Sequence, residues 1–147
     1  IAVSNELNTI KLIKNTVLSI KNGMLVGLKA ISNKVSDILA MFRNKNLIIV
    51  DSNGKKLDEN STVGTDSSIK LEIDGKEVDS VSVVVKGDMT GDGKANNRDV
   101  AMLMRYLAEK EIPSNCKIAA VDINEDGVVD NRDAAMLAQV LVGKYVL

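Results

Sequence analysis

The chain has 147 residues and a formal net charge of −1, so its length fits one or two small domains. A hydrophobic content of 45% suffices for a buried core, and the near-neutral charge gives no support for binding to nucleic acid or to a membrane. The sequence has no histidine and one cysteine, Cys116, so it predicts no internal disulfide, no zinc site and no His-dependent catalytic pair.

The first 86 residues are predicted to form a small α+β domain. Residues 9–20 favour a strand. Residues 32–42 are predicted to form a helix, because their apolar side chains fall on one face and Ser32 stands at the start as a candidate cap.

Two hairpin signals follow the predicted helix. The apolar run 47–50 precedes the turn-forming residues 51–54. Ile69, Leu71 and Ile73 then alternate with polar residues up to Gly75, after which residues 78–85 read as a second strand. Asn-Gly and Asp-Gly between such runs are typical hairpin turns.

Two twelve-residue runs, 88–99 and 122–133, repeat a single pattern. Each has oxygen-bearing side chains at positions 1, 3, 5, 9 and 12 and a glycine, Gly93 or Gly127, at position 6. Calcium takes six to eight oxygen ligands, and the glycine permits the sharp turn that aims them at one point. The spacing therefore predicts two calcium loops of the EF-hand type.

The pattern departs from a standard EF-hand in two respects. Position 12 is an aspartate, Asp99 or Asp133, where the ordinary loop has a bidentate glutamate. Residues 81–85 before the first loop read as a strand, whereas apolar residues at helical spacing follow each loop. The expected unit is therefore loop then helix.

The two units also share the sequence Asn-Arg-Asp-x-Ala-Met-Leu, at residues 97–103 and 131–137. The Asn-Arg pairs should face outward at the helix starts, where an arginine opposes the helix dipole and does not serve helix stability. Arginine is enriched at protein interfaces, so the pairs are interpreted as partner-recognition residues. The alternative is a solvated helix N-terminus with asparagine near the cap.

A duplicated loop of this kind, followed directly by a helix and preceded by Gly87, resembles a dockerin module over residues 87–147. The resemblance implies calcium-dependent docking onto a cohesin module of a scaffoldin, in a bacterial extracellular, cellulosome-like complex that degrades polysaccharides. It also implies two bound calcium ions. By position, the implied metal ligands are Asp88, Thr90, Asp92, the Lys94 carbonyl, Asn96 through water, Asp99, Asp122, Asn124, Asp126, the Val128 carbonyl, Asp130 and Asp133.

The resemblance further implies which residues contact the cohesin. Because both repeats carry the Asn-Arg pair, either helix is expected to present the same face, so the partner could dock in two orientations related by a half turn. Later positions differ between the repeats, which predicts unequal affinities for the two orientations. The implied contact residues are Asn97, Arg98, Ala101, Met102, Met104, Arg105, Glu109, Asn131, Arg132, Ala135, Met136 and Gln139.

The predicted architecture is an α+β chain in which a small β-rich N-terminal module packs on an all-α dockerin with two EF-hand-like calcium loop-helix motifs. The domains would be residues 1–86, an X-module-like α+β or β-sandwich domain, and residues 87–147. The stretch from residue 63 to residue 88 is similar to the sheet segment that often precedes dockerins. The first 86 residues contain no Trp or Tyr, so no direct carbohydrate binding is expected.

Three functions fit these features. The favoured one is the non-catalytic docking module. Because the chain begins at Ile1 and no signal peptide is visible, it is expected to be a fragment of a larger secreted or cell-surface protein. A calcium sensor with a methionine-rich groove, or a purely structural calcium-stabilised domain without a cohesin partner, is the alternative. The sequence leaves open whether the parent protein is an enzyme, such as a glycoside hydrolase, or a scaffold subunit.

Overall fold

A computed structural model describes residues 8–14, 16–30, 33–109, 113–144 and 146–147. Nine elements occur within these ranges, five strands and four helices. In chain order they are β1 (Ser19–Lys21), β2 (Met24–Lys29), α1 (Val35–Leu39), β3 (Leu47–Val50), β4 (Ser68–Ile73), β5 (Lys76–Lys86), α2 (Asn97–Glu109), α3 (Asn115–Val121) and α4 (Asn131–Leu141).

The strands form one mixed sheet in the order β1-β2-β5-β4-β3. Strand β2 pairs with β5 in parallel, and the other neighbours are antiparallel. The predicted hairpin between β4 and β5 is confirmed, with Asp74 and Gly75 at positive φ in its turn. A second Asn-Gly hairpin, at Asn22 and Gly23 between β1 and β2, was not predicted although the same signal marks it.

Three N-terminal predictions were only partly correct. Among the described residues of the strand predicted at 9–20, only Ser19 and Ile20 lie in a strand, β1. Strand β3 forms at residues 47–50, but it pairs with β4, whereas the chain beyond its turn returns to it only as the isolated bridge Val50–Lys56. The predicted helix shrinks to α1, which begins after Lys34 without a side-chain cap. The predicted cap at Ser32 lies outside the described residues. Residues 55–61 are mostly polar, so β4 supplies the apolar pairing surface that they lack.

Alternation along β5 sends its side chains to two different cores. Val81, Val83 and Val85 lie in the N-terminal core with α1 and the other strands. Val84 points to the opposite face, as the two-residue period of a strand requires, and packs against Cys116 and Ala120 of α3. A third cluster joins α2 to α4 around Leu103 and Leu137.

The fold class predicted from the sequence was therefore wrong. The described residues contain a five-stranded mixed sheet and four helices, and the region after β5 is helical, but the overall fold is not all-α with EF-hand motifs. Helix α3, which was not predicted, uses its apolar face to cover β5. The first loop is entered directly from β5, since Gly87 follows the strand and its N–H donates to the Ala120 carbonyl at 2.7 Å.

Candidate calcium centres and partner surface

Each predicted calcium loop gathers three carboxylates. Loop 1 (residues 88–99) connects β5 to α2, and loop 2 (residues 122–133) connects α3 to α4. Within each group, one oxygen of every carboxylate lies within 4.8 Å of the others, close enough to share one cation. The groups are Asp88, Asp92 and Asp99 in loop 1, and Asp122, Asp126 and Asp133 in loop 2.

The aspartates at position 12 have the same hydrogen bonds in both loops. Asp99 is fully buried, and it accepts the N–H groups of Met89, Thr90 and Asn96 at 2.8–2.9 Å. Asp133 is also fully buried and accepts the corresponding three N–H groups, from Ile123, Asn124 and Asp130. These carboxylates therefore draw together positions 2, 3 and 9 of their loops.

Positions 5 and 9 shape the second half of each loop. Asp92 accepts the N–H of Lys94 at 2.9 Å, and Asp126 accepts the N–H of Val128 at 2.9 Å, so position 7 is held alike in both. At position 9, Asn96 accepts the N–H of Arg98 at 2.9 Å.

Asp130 makes the equivalent bond to the N–H of Arg132 and caps α4. Position 9 therefore begins the helix that follows each loop. An oxygen side chain is the usual choice for such a cap.

Position 3 differs between the loops. The Thr90 hydroxyl donates to Asp88 Oδ1 at 3.3 Å. The Asn124 side chain bonds Asp126, with its Nδ2 donating to Oδ2 at 3.1 Å and its Oδ1 accepting the Asp126 N–H at 3.2 Å. Both side chains lie beside their acid clusters.

The first aspartates have contrasting environments. Asp88 is fully buried, and both of its oxygens accept protein donors. The pKa of Asp88 lies above its usual range, chiefly because the carboxyl is buried. Hydrogen bonds from the N–H groups of Thr65, Gly93 and Gly91 lower this pKa in part, and the charge of Asp99 raises it. Asp122 Oδ1 is buried and, within the described part of the chain, has no hydrogen-bond partner.

An orphaned, buried carboxylate oxygen is costly unless a cation or donor reaches it. Asp122, whose Oδ1 is such an oxygen, lies beside Asp126 and Asp133, and a hard cation requires several carboxylate oxygens around one point. The residues of loop 2 therefore fit a calcium ion. Loop 1 has the same acid cluster and the same buried position 12, so its donor chemistry fits as well.

The predicted partner residues lie on α2 and α4. Met102 and Met136 are half-buried against the core that joins the two helices. The other ten are exposed, and among them the apolar Met104 has 54% of its surface accessible to solvent. They are Asn97, Arg98, Ala101, Met104, Arg105, Glu109, Asn131, Arg132, Ala135 and Gln139.

The two arginines differ in their contacts. The Arg132 guanidinium lies 3.0 Å from Asp130 and 3.5 Å from Asp126. Asp130 has a pKa below its usual range, chiefly because the Arg132 side chain donates to it. Among the described residues Arg98 has no ion-pair partner, since position 9 of its loop is the neutral Asn96. The repeated pair is therefore equivalent in sequence and unequal in electrostatic environment.

The sequence interpretation missed two contacts between the sheet and the helices. Thr65 donates its N–H to Asp88 Oδ2 at 2.9 Å, so a residue far from the loop touches its first acid. Ser114, the cap of α3, donates to Asp66 at 2.7 Å. No sequence signal marks either contact, although Gly64 and the positive φ of Asp66 lie in the same turn.

Comparison with protein families gives one match. Residues 86–142 match the model of the dockerin type I domain, while no curated protein matches the chain. Dockerins are non-catalytic modules that bind calcium and cohesin modules in extracellular, cellulosome-type assemblies. No described helix has the length and apolar character needed to cross a bilayer. The repeated loops and this match together support a dockerin module over residues 86–142.

Proposed function

We propose that this chain is a calcium-dependent adhesion module that docks its parent protein onto a cohesin of a scaffoldin. One observation carries the proposal. The same loop architecture occurs twice, with a buried aspartate at position 12 and an exposed Asn-Arg pair at the helix start each time. A solvated acidic turn would need neither the buried acid nor the repeated exposed pair.

Each loop would hold one calcium ion. The holding groups would be the side chains of Asp88, Thr90, Asp92, Asn96 and Asp99 with the Lys94 carbonyl, and those of Asp122, Asn124, Asp126, Asp130 and Asp133 with the Val128 carbonyl. A bound ion supplies positive charge that offsets the repulsion among the clustered carboxylates. The loops in turn set the start and direction of α2 and α4, so metal binding would fix the docking surface.

Docking in two orientations is part of the proposal. Exposed Asn97 and Arg98 on α2 have counterparts in Asn131 and Arg132 on α4. The unequal charge around the two arginines supports unequal affinities, because Arg132 must leave Asp130 before it can pair with a partner carboxylate. We therefore propose that the orientation led by α2 is the tighter one.

Titration calorimetry against a panel of cohesins tests the main proposal. One-to-one binding in calcium that disappears in excess EDTA is the expected result. Lys144→Ala, an exposed site beyond α4, is the control and should bind like wild type. Calcium uptake without binding to any cohesin would instead favour the structural or sensor function.

Two double variants test the dual orientation. Asn97→Ala/Arg98→Ala and Asn131→Ala/Arg132→Ala should each retain binding, the first with the larger loss, and the combination of all four changes should abolish it. If either double variant alone abolished binding, the chain would use a single orientation.

The domain division and the wider setting are proposals as well. We place the boundary between residues 86 and 87, where β5 ends and loop 1 begins. We also propose that the parent protein is secreted into a polysaccharide-degrading assembly. Secretion is tested by locating the parent protein in cell and medium fractions.

A further inference from the structure

The N-terminal part of the chain forms one wall of loop 1. Residues 62–65, here called the 62–65 segment, lie between β3 and β4 and run against the loop backbone. The Thr65 N–H donates to Asp88 Oδ2 at 2.9 Å, the oxygen that also accepts the N–H of Gly93 at 2.8 Å. The Thr65 hydroxyl in turn bonds the N–H and carbonyl of Val85 at 3.1 and 3.3 Å. Asp88 is thereby oriented from outside its own loop.

The backbones of the 62–65 segment and loop 1 lie so close together that the contact requires glycine. A Cβ on Gly64 would overlap the Gly91 carbonyl and lie 2.8 Å from the Gly93 nitrogen. In the other direction, a Cβ on Gly93 would lie 2.5 Å from the Thr62 methyl carbon and 2.8 Å from the Val63 carbonyl oxygen. Gly64 has no positive φ, so its small size, and not its backbone freedom, is what the contact uses.

Loop 2 provides an internal comparison. Gly127 occupies the same loop position as Gly93 and has nearly the same φ, 84° against 80°, but nothing lies within 4 Å of its Cβ position. At position 4, loop 1 has Gly91, where a Cβ would lie 3.0 Å from the Thr65 carbonyl oxygen, whereas loop 2 accommodates the side chain of Glu125. Among the hydrogen bonds and ion pairs of the described residues, the one that joins the sheet to loop 2 is the exposed pair Lys86–Glu125.

We propose that the 62–65 segment is a positioning element of the first calcium site, so that the calcium affinity of loop 1, unlike that of loop 2, is set by the N-terminal module. The proposal rests on calcium binding by both loops. Hydrogen bonds that orient a metal-binding carboxylate commonly change metal affinity by about 10–100-fold. Because such coupling is reciprocal, calcium in loop 1 also holds the 62–65 segment in place.

Gly64→Ala tests the proposal in the full chain. The N–H groups of Gly93 and Gly127 donate to the first aspartate of their loops at 2.8 and 3.0 Å, so their NMR signals report each site separately during a calcium titration. The variant should weaken the calcium affinity of loop 1 by about 10-fold or more and leave that of loop 2 unchanged.

A glycine pair supplies the matched control. Gly93→Ala and Gly127→Ala impose the same backbone strain at nearly equal φ, but only the first pushes a methyl group into the 62–65 segment. The calcium affinity of loop 1 in Gly93→Ala should therefore fall further than that of loop 2 in Gly127→Ala. Equal losses would overturn the proposal.

Hydrogen exchange on the unmodified chain covers the case in which Gly64→Ala does not fold. The Thr65 amide should exchange more slowly in calcium than in EDTA, and Asp92→Ala, a loop 1 change, should remove this difference while Asp126→Ala in loop 2 should not. Equal exchange rates of the Thr65 amide in calcium and in EDTA would overturn the proposal. If neither glycine signal responds to calcium, calcium binding itself fails, which is a distinct result.

Discussion

Asp99 and Asp133 combine two tasks at the residue scale. Each is a candidate calcium ligand, and each also satisfies three backbone N–H groups in a fully buried position. Asp126, by contrast, is exposed and closes only a local turn. A substitution at position 12 should therefore reduce both metal binding and the stability of the metal-free loop, whereas a substitution of Asp126 should reduce mainly metal binding.

Asp133→Ala should lower the free energy of unfolding by about 2 kcal/mol even in EDTA, since buried donors lose their acceptor. Asp126→Ala should weaken calcium binding but stay within about 1 kcal/mol of wild type in EDTA. Urea unfolding at low temperature measures both variants. Equal EDTA stability of the two would mean that Asp133 acts only as a ligand.

Asp88 makes the metal-free protein sensitive to pH. Its pKa is raised chiefly by burial, so the folded chain holds that proton more tightly than the unfolded chain does. The associated stability is present at acid pH and is lost as pH rises through the raised pKa.

Asp88→Asn cannot ionise and should lack this dependence. In EDTA, its stability relative to wild type should therefore improve between about pH 4 and about pH 7. Thermal unfolding across this range measures the difference, with Asp92→Asn, an exposed carboxylate in the same loop, as the control. A pH-independent difference would show that ionised Asp88 carries no penalty in the fold.

Helix α3 connects the two parts of the chain at the element scale. Its buried Cys116 and Ala120 lie on Val84 of β5, and burial raises the pKa of the Cys116 thiol to about 11. At its start, Ser114 accepts the Lys117 N–H at 3.2 Å and donates to Asp66 at 2.7 Å. One hydroxyl therefore caps the helix and fastens it to the turn beside β4.

Ser114→Ala should destabilise the chain by about 1 kcal/mol, the usual cost of losing an N-cap. Urea unfolding in calcium measures this loss. Asp66→Asn is the matched control, because it retains the cap and an acceptor for the hydroxyl, and it should cost less. A loss in Asp66→Asn as large as that in Ser114→Ala would place the stabilisation in the contact with Asp66.

At the scale of the whole molecule, three apolar clusters are linked through β5. Side chains of β5 pack in the N-terminal core on one face of the sheet and against α3 on the other. The end of the strand leads directly into loop 1. Sheet and helices should therefore unfold together, with calcium adding to the stability of the whole.

Calcium at about 100 times its dissociation constant contributes about 2.7 kcal/mol for each site. For two sites in a chain of this size, transfer from calcium to EDTA should lower Tm by roughly 10 °C or more. Calorimetry measures the shift, and magnesium, which demands stricter octahedral geometry, serves as the comparison ion. An unchanged Tm in EDTA, or separate transitions for sheet and helices in calcium, would contradict the expected coupling.

Local rules predicted the parts of the chain whose structure depends on neighbouring residues. The hairpin at Asp74 and Gly75 follows from turn chemistry and alternation, and the loops follow from oxygen spacing with Gly93 and Gly127. The helix after each loop follows from apolar periodicity. Helix α3 was missed, because its seven residues are short and its partner, Val84, is distant in sequence.

By itself, the sequence determined the two acidic loops, the helices that follow them and the repeated Asn-Arg pairs, since each is encoded in a dozen neighbouring residues. Only the tertiary structure decided that Thr65 reaches Asp88, that Gly64 lies against Gly91 and that loop 2 lacks such a wall. These contacts join segments more than twenty residues apart, and they depend on how β5 and α3 pack. Spacing along a chain encodes local geometry, whereas packing between distant segments is settled only when the whole chain folds.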